Sequence, residues 1–148
     1  MRRLATVLLS LAFASGAQAQ TAKEKYELSE RCGKRATEVF TQTWDGQVSA
    51  PTDAGWTFTT YQNHYNSRSN KCFSLLKREG HWGTYRDNRG LYKIIMLVDL
   101  DESRGIGSYE GKTTEPTVEE KLIVCLVQDT RCKTEEEWQA LIKPFMED

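Results

Sequence analysis

The chain reads as an α+β domain: an antiparallel β-meander of about four strands packed against an N-terminal and a C-terminal helix. Three observations predict this. Apolar residues recur at helical spacing near both ends of the chain. The middle is rich in threonine, β-branched and aromatic residues broken by turn formers. The connections between those segments are too short for the crossovers that parallel strands require. Both helices are expected on one face of the sheet.

Leu28, Cys32, Ala36, Val39, Phe40 and Thr43 form one stripe, which places a helix over residues 22–43. Lys25, Glu30, Lys34 and Glu38 fall on its solvated side, and Gly33 weakens its middle by roughly 1 kcal/mol relative to alanine. Asp45-Gly46, Pro51 and Gly55 mark a loop. Trp56–Tyr65 and Lys71–Lys77, separated by the polar stretch NSRSN, suggest a hairpin. Leu91–Leu100 is the strongest strand, Ser108–Lys112 a short one, and Leu122–Val127 a buried one. Thr134 with Glu137 three residues on makes a capping box for the last helix. Its apolar stripe is Trp138, Leu141, Ile142, Phe145 and Met146, a core pattern rather than a ligand box. Pro144 should kink or end that helix near its last turn.

The first nineteen residues have the layout of a secretory leader: Arg2 and Arg3, an apolar run from Leu4 to Ala14, and Ala17-Gln18-Ala19 before a cut at Gln20. That run is too short to span a bilayer and no later stretch approaches spanning length, so no membrane span is expected. Residues 20–148 then form a single disulfide-stabilised domain, periplasmic or secreted. Loss of Arg2 and Arg3 changes the balance from 20 basic against 21 acidic residues to 18 against 21, a formal charge of −3. A chain of that sign offers no overall attraction to nucleic acid.

The four cysteines, Cys32, Cys72, Cys125 and Cys132, all lie after the leader. An even count in an oxidising compartment reads as two disulfides. Structural zinc would ask for paired close spacings and a redox site for C-x-x-C, and neither is present. Four cysteines allow three pairings. Cys125–Cys132, at a strand end and the following helix start, is favoured, and Cys32–Cys72 follows.

Few motifs carry chemistry. Asp99–Glu110, DLDESRGIGSYE, places Asp99, Asp101, Ser103 and Glu110 at ligand positions of a calcium loop. Arg104, however, stands where that loop needs glycine, and the preceding segment is a strand, so a polar hairpin loop is the expectation. Gly105, Gly107 and Gly111 do not make a dinucleotide fingerprint, and no GxSxG elbow occurs. No cofactor or metal is expected. The two histidines, His64 and His81, are the available general bases.

The stretch Lys77–Gly90, KREGHWGTYRDNRG, is the candidate binding loop. It gathers Arg78, His81, Trp82, Tyr85, Arg86 and Arg89 between turn-forming glycines, with four basic residues against Glu79 and Asp87. Aromatics interleaved with arginines are the residue types enriched at binding hot spots, suited to a carboxylate, a glycan or a protein surface. The competing reading is a hairpin tip in which Trp82 and Tyr85 cover the core.

NHYNSRSNKCF, LVDLDESRGIGSY and VCLVQDTRCKTEEEWQALIKPFMED resemble a group of small, uncharacterised exported bacterial proteins with two cysteine pairs and a C-terminal helix of this EW…KPFM type. The resemblance covers most of the chain after the leader. It implies export and a single stapled domain, and it transfers no catalytic residue. The function expected is a non-catalytic exported binding or accessory protein whose partner is an unknown protein or small molecule. An inhibitor of an envelope or host hydrolase, and a small secreted hydrolase using His81 or His64 with Asp87 or Glu79, are the alternatives.

Overall fold

Successive side chains of a β-strand point to opposite faces, so the parity of a residue decides which layer it joins. In the computed structural model, which describes residues 20–44, 48–52, 55–83, 90–114 and 117–148, both faces of one sheet are used. The order of elements is α1 (Ala22–Trp44), β1 (Ser49–Thr52), β2 (Gly55–Asn66), β3 (Lys71–Trp82), β4 (Gly90–Asp99), β5 (Arg104–Thr114), β6 (Thr117–Val127), β7 (Thr130–Arg131) and α2 (Glu135–Met146). Every neighbouring pair is antiparallel and the strands lie in chain order, which is a meander.

The α+β class and the antiparallel meander are therefore as expected, but the sheet is larger than the sequence suggests. Among the described residues it has six strands of four residues or more, with the two-residue β7 added at the edge, instead of about four. The additions lie where local propensity is poor. Lys77–Trp82 holds three charged residues and a glycine yet continues β3, because it pairs residue by residue with Gly90–Ile95 of β4. Ser49–Thr52, a loop by its composition, pairs with the start of β2. Cross-strand pairing overrides local preference in these segments.

The helices do not share a face. Cys72 and Phe73 are consecutive on β3 and point opposite ways. Cys72 is bonded to Cys32 of α1, with a Cα–Cα distance of 5.4 Å, in a cluster with Ala36, Tyr65 and Leu100. Phe73 packs edge-on against Phe145 of α2, within the larger cluster of Ile95, Leu97, Tyr109, Val127, Trp138 and Ile142. The expectation of a one-sided arrangement fails because the sheet's middle strands are apolar on both faces. Each face of those middle strands therefore takes one helix.

Cys125–Cys132 closes the second disulfide across the short β6–β7 turn, so both pairings are the favoured ones. Thr134 caps α2 by accepting from the Glu137 backbone N–H at 3.2 Å, and Glu137 reaches back to the Lys133 N–H at 2.7 Å. Pro144 sits inside the helix, which continues to Met146. The carbonyls left open at this end are met by Asn66. Its amide donates to the oxygens of Pro144 at 3.0 Å and Glu147 at 2.9 Å, while its own oxygen accepts from Ser69. Asp148 ties the same corner together, accepting from Lys25 of α1 and from the Ser67 N–H. Among the described residues, no helix is long and apolar enough to cross a membrane. The leader expected over residues 1–19 lies outside the described residues.

Asp99–Glu110 is the β4–β5 hairpin. Asp99 is fully buried, and its carboxylate accepts from the Lys71 ammonium at 2.7 Å and from the Asp101 and Glu102 N–H groups. Asp101 accepts from the Cys72 N–H at 2.8 Å. These oxygens are thus engaged by the protein itself. Burial alone would raise the Asp99 pKa, but the Lys71 and backbone donors outweigh it and hold the carboxyl below its usual value.

Loss of Cys32–Cys72 by paired serine substitution should cost about 4 kcal/mol, and loss of Cys125–Cys132 about 2.5 kcal/mol, on the chain-entropy account of the closed loops; denaturant titration of each variant checks the order. A carboxylate whose folded pKa is depressed stabilises the fold above its unfolded pKa and loses that contribution as pH falls through the folded value. Asp99→Asn should therefore melt below the native protein at pH 7, with the gap narrowing as pH falls below about 4.

Candidate functional site

The rungs of the sheet on the α2 face define the candidate site. Register places Phe58, Glu79, Lys93 and Gly111 side by side on that face. One step further from α2, beyond the Thr57–Gly80 pair, come Trp56, His81 and Leu91, with His81 directly opposite Leu91. Helix α2 covers the opposite end of this face, around Trp138 and Ile142, and meets Lys93 through Glu135 in its first turn at 2.7 Å.

As a result β2 is packed inside out. Trp56 and Phe58 are 54% and 55% exposed, while Thr57 and Thr59, on the alternate face, are 2% and 4% exposed. Leu91 is 49% exposed beside them. Three large apolar side chains on adjacent rungs thus make a bare platform. Thr57 is held by a 2.9 Å hydrogen bond with the Tyr92 hydroxyl, which satisfies its buried oxygen.

Charged groups border the platform. Lys93 lies 3.9 Å from Glu79 as well as bonding Glu135, and Glu79 also meets Lys77 at 3.0 Å. The Lys93 pKa is raised, chiefly by the Glu135 bond, so it stays an ammonium. Glu120 accepts from the buried Tyr109 hydroxyl at 2.9 Å. Burial first, and the Glu120 carboxylate second, push that phenol well above its usual range, so it remains a donor. Glu120 lies over Gly111, where a Cβ would come within 1.9 Å of its carboxylate oxygen; only glycine leaves it that room. Glu79, Leu91, Lys93, Thr113 and Glu120 line a hollow of about 430 Å³ here. The arrangement offers aromatic stacking surfaces beside a hollow that carries one ammonium, Lys93, and two carboxylates, Glu79 and Glu120.

Of the residues singled out from the sequence, His81 joins this platform. Its ring lies against Gly55, whose φ of +139° favours glycine and where a Cβ would come within 2.9 Å of His81 Nδ1. That nitrogen is buried and has no hydrogen-bond partner among the described residues. Arg78 and Trp82 fall on the other face, in strand β3 rather than in a loop. Trp82 donates from its indole N–H to the Thr113 carbonyl at 3.0 Å, as a covering residue would. Tyr85, Arg86 and Arg89, and Asp87 with them, lie outside the described residues. His64 is eight residues from Trp56 along β2, about 27 Å at the usual strand rise. It sits 3.5 Å from Asp148, so the two histidines cannot serve one centre.

Sequence reasoning missed Trp56, Phe58, Leu91, Lys93 and Glu120 as site residues. The alternation WTFT says that the aromatics share a face; it does not say which face a helix will cover. Comparison with protein-family models, curated proteins and solved structures found no match.

Replacing both exposed aromatics, Trp56→Ser with Phe58→Ser, should change folding stability by no more than about 0.5 kcal/mol per site, as surface substitutions do. Trp138→Ala, at a fully buried position, should cost about 3–5 kcal/mol. Urea unfolding of the two variants separates platform from core.

Proposed function

We propose that this is a non-catalytic exported binding or accessory protein, periplasmic or secreted, whose partner docks on the bare platform of Trp56, Phe58, His81 and Leu91. The observation that carries the reading is the inverted burial of β2. Two aromatics stand in solvent where the neighbouring threonines are packed, and burying them against a partner would recover their apolar area. Trp and other aromatics are the anchors that dominate binding energy at protein surfaces. The end of β3 at Trp82 and the start of β4 at Gly90 lie at this same end of the sheet. Export is supported by the leader-like first nineteen residues and by two disulfides, the crosslinks of an oxidising compartment.

Two observations favour binding over catalysis. All four cysteines are consumed in crosslinks, which removes a thiol nucleophile. The histidines sit at opposite ends of β2 and β3, and among the described residues no carboxylate accepts a hydrogen bond from His81.

The test is capture from envelope extract with native protein and with the Trp56→Ser/Phe58→Ser variant. Partner recovered by the native protein should be lost by the variant while both melt at the same temperature. Equal recovery by both would remove the platform from the function. Hydrolytic turnover that disappears in His81→Ala would replace the reading with an enzymatic one.

A further inference from the structure

The two edges of the sheet are unequal. At one edge, β1 is four residues long and contains Pro51, which has no N–H to offer an incoming strand. At the other, β6 runs for eleven residues, yet β7 pairs only with Leu126 and Val127. Cys125 is served by the Cys132 N–H, which donates to its carbonyl at 3.1 Å. Among the described residues, the outer edge of β6 from Thr117 to Val124 therefore has no strand beside it.

Among the described residues the α1 face next to this edge is also uncovered, because α1 packs mainly over β2 and β3. Two hollows lie along it. The first, of about 620 Å³, is bordered by Trp82, Lys112, Thr114, Lys121, Leu122 and Ile123. The second, of about 650 Å³, is bordered by Met96, Val98 and Leu126 where Gly105 presents no side chain. Ile123 and Leu126 are 45% and 36% exposed. Lys112 and Lys121 are direct cross-strand partners, so two ammonium groups stand together at the first hollow. Lys112 has Glu110 at 3.4 Å, whereas Lys121 has no ion pair among the described residues.

We propose that the β6 edge binds an extended acidic–apolar peptide segment as an added strand, with one carboxylate side chain set against Lys121 and Lys112 and an apolar side chain two residues away set against Ile123 at the first hollow. The backbone edge supplies hydrogen bonds and the first hollow receives alternate side chains, the division of labour by which sheet edges recognise peptides. The spacing follows from β6, where Lys121 and Ile123, which both border the first hollow, are two residues apart. A second copy of the chain fits this edge poorly. Opposed residues must share a face, so a two-fold centred on the open stretch would set Glu120 against Glu120 or Lys121 against Lys121. This site is separate from the platform and does not depend on it.

The probe is a blocked pentapeptide, glutamate-threonine-valine-threonine-leucine, titrated into the oxidised, nitrogen-15-labelled protein. Saturable shifts confined to the amides of residues 117–124 and their β5 neighbours are expected. Lys121→Glu should weaken binding by at least about tenfold, since it sets like charges together. A peptide with lysine in place of glutamate should recover affinity for that variant. The proposal is overturned by absence of saturable shifts, by shifts at Trp56 and Phe58 instead, or by equal affinity of the native and Lys121→Glu proteins. Concentration-dependent dimerisation that shifts the same amides without peptide would overturn it in favour of self-association.

Discussion

Strand β3 carries both layers of the molecule on two consecutive residues. Cys72 points to α1 and is bonded to Cys32; Phe73 points to α2 and packs on Phe145. Because side chains alternate strictly along a strand, a one-residue slip of β3 would send the cysteine into the α2 cluster and the phenylalanine into the α1 layer. The disulfide thus does more than restrict the unfolded chain. It fixes the register of the central hairpin relative to α1, and the covalent bond and the apolar pattern agree on that register.

The same hairpin also holds the C-terminal helix. Asn66, at the end of β2 and 1% exposed, spends its amide on the carbonyls that follow Pro144, and Asp148 joins α1, the β2–β3 turn and the end of α2 at one corner. The carboxyl of Asp148 is held well below its usual range by the Lys25 ammonium and the Ser67 N–H. With α2 anchored at that corner and stapled by Cys125–Cys132 at its start, the helix lies over one end of its face. The other end stays bare, and the aromatic platform is a direct result. The open outer edge of β6 has a related origin: β7 is only long enough to bring Cys132 back to Cys125.

Much of the fold is legible in the chain because it rests on local signals. Helical stripes, the capping box at Thr134, the β-branched run at Leu91–Leu100 and the cysteine count each depend on residues close in sequence. What local signals misread or left open has another cause. Lys77–Trp82 has the charges and glycine of a loop, but it is held by long-range pairing on both sides. The calcium-like spacing in Asp99–Glu110 is ambiguous because sequence does not show Lys71, twenty-eight residues before Asp99, placing its ammonium on that carboxylate.

The chain alone determined the class of fold, the two helices, the strong central strands and the preference for two crosslinks, since periodicity and composition follow from each segment's own energetics. Tertiary structure decided which face each helix occupies, how far the strands extend and which aromatics remain in water. Those outcomes depend on how a finite helix covers a larger sheet. No segment carries that information by itself, because coverage depends on the relative placement of parts far apart in the chain.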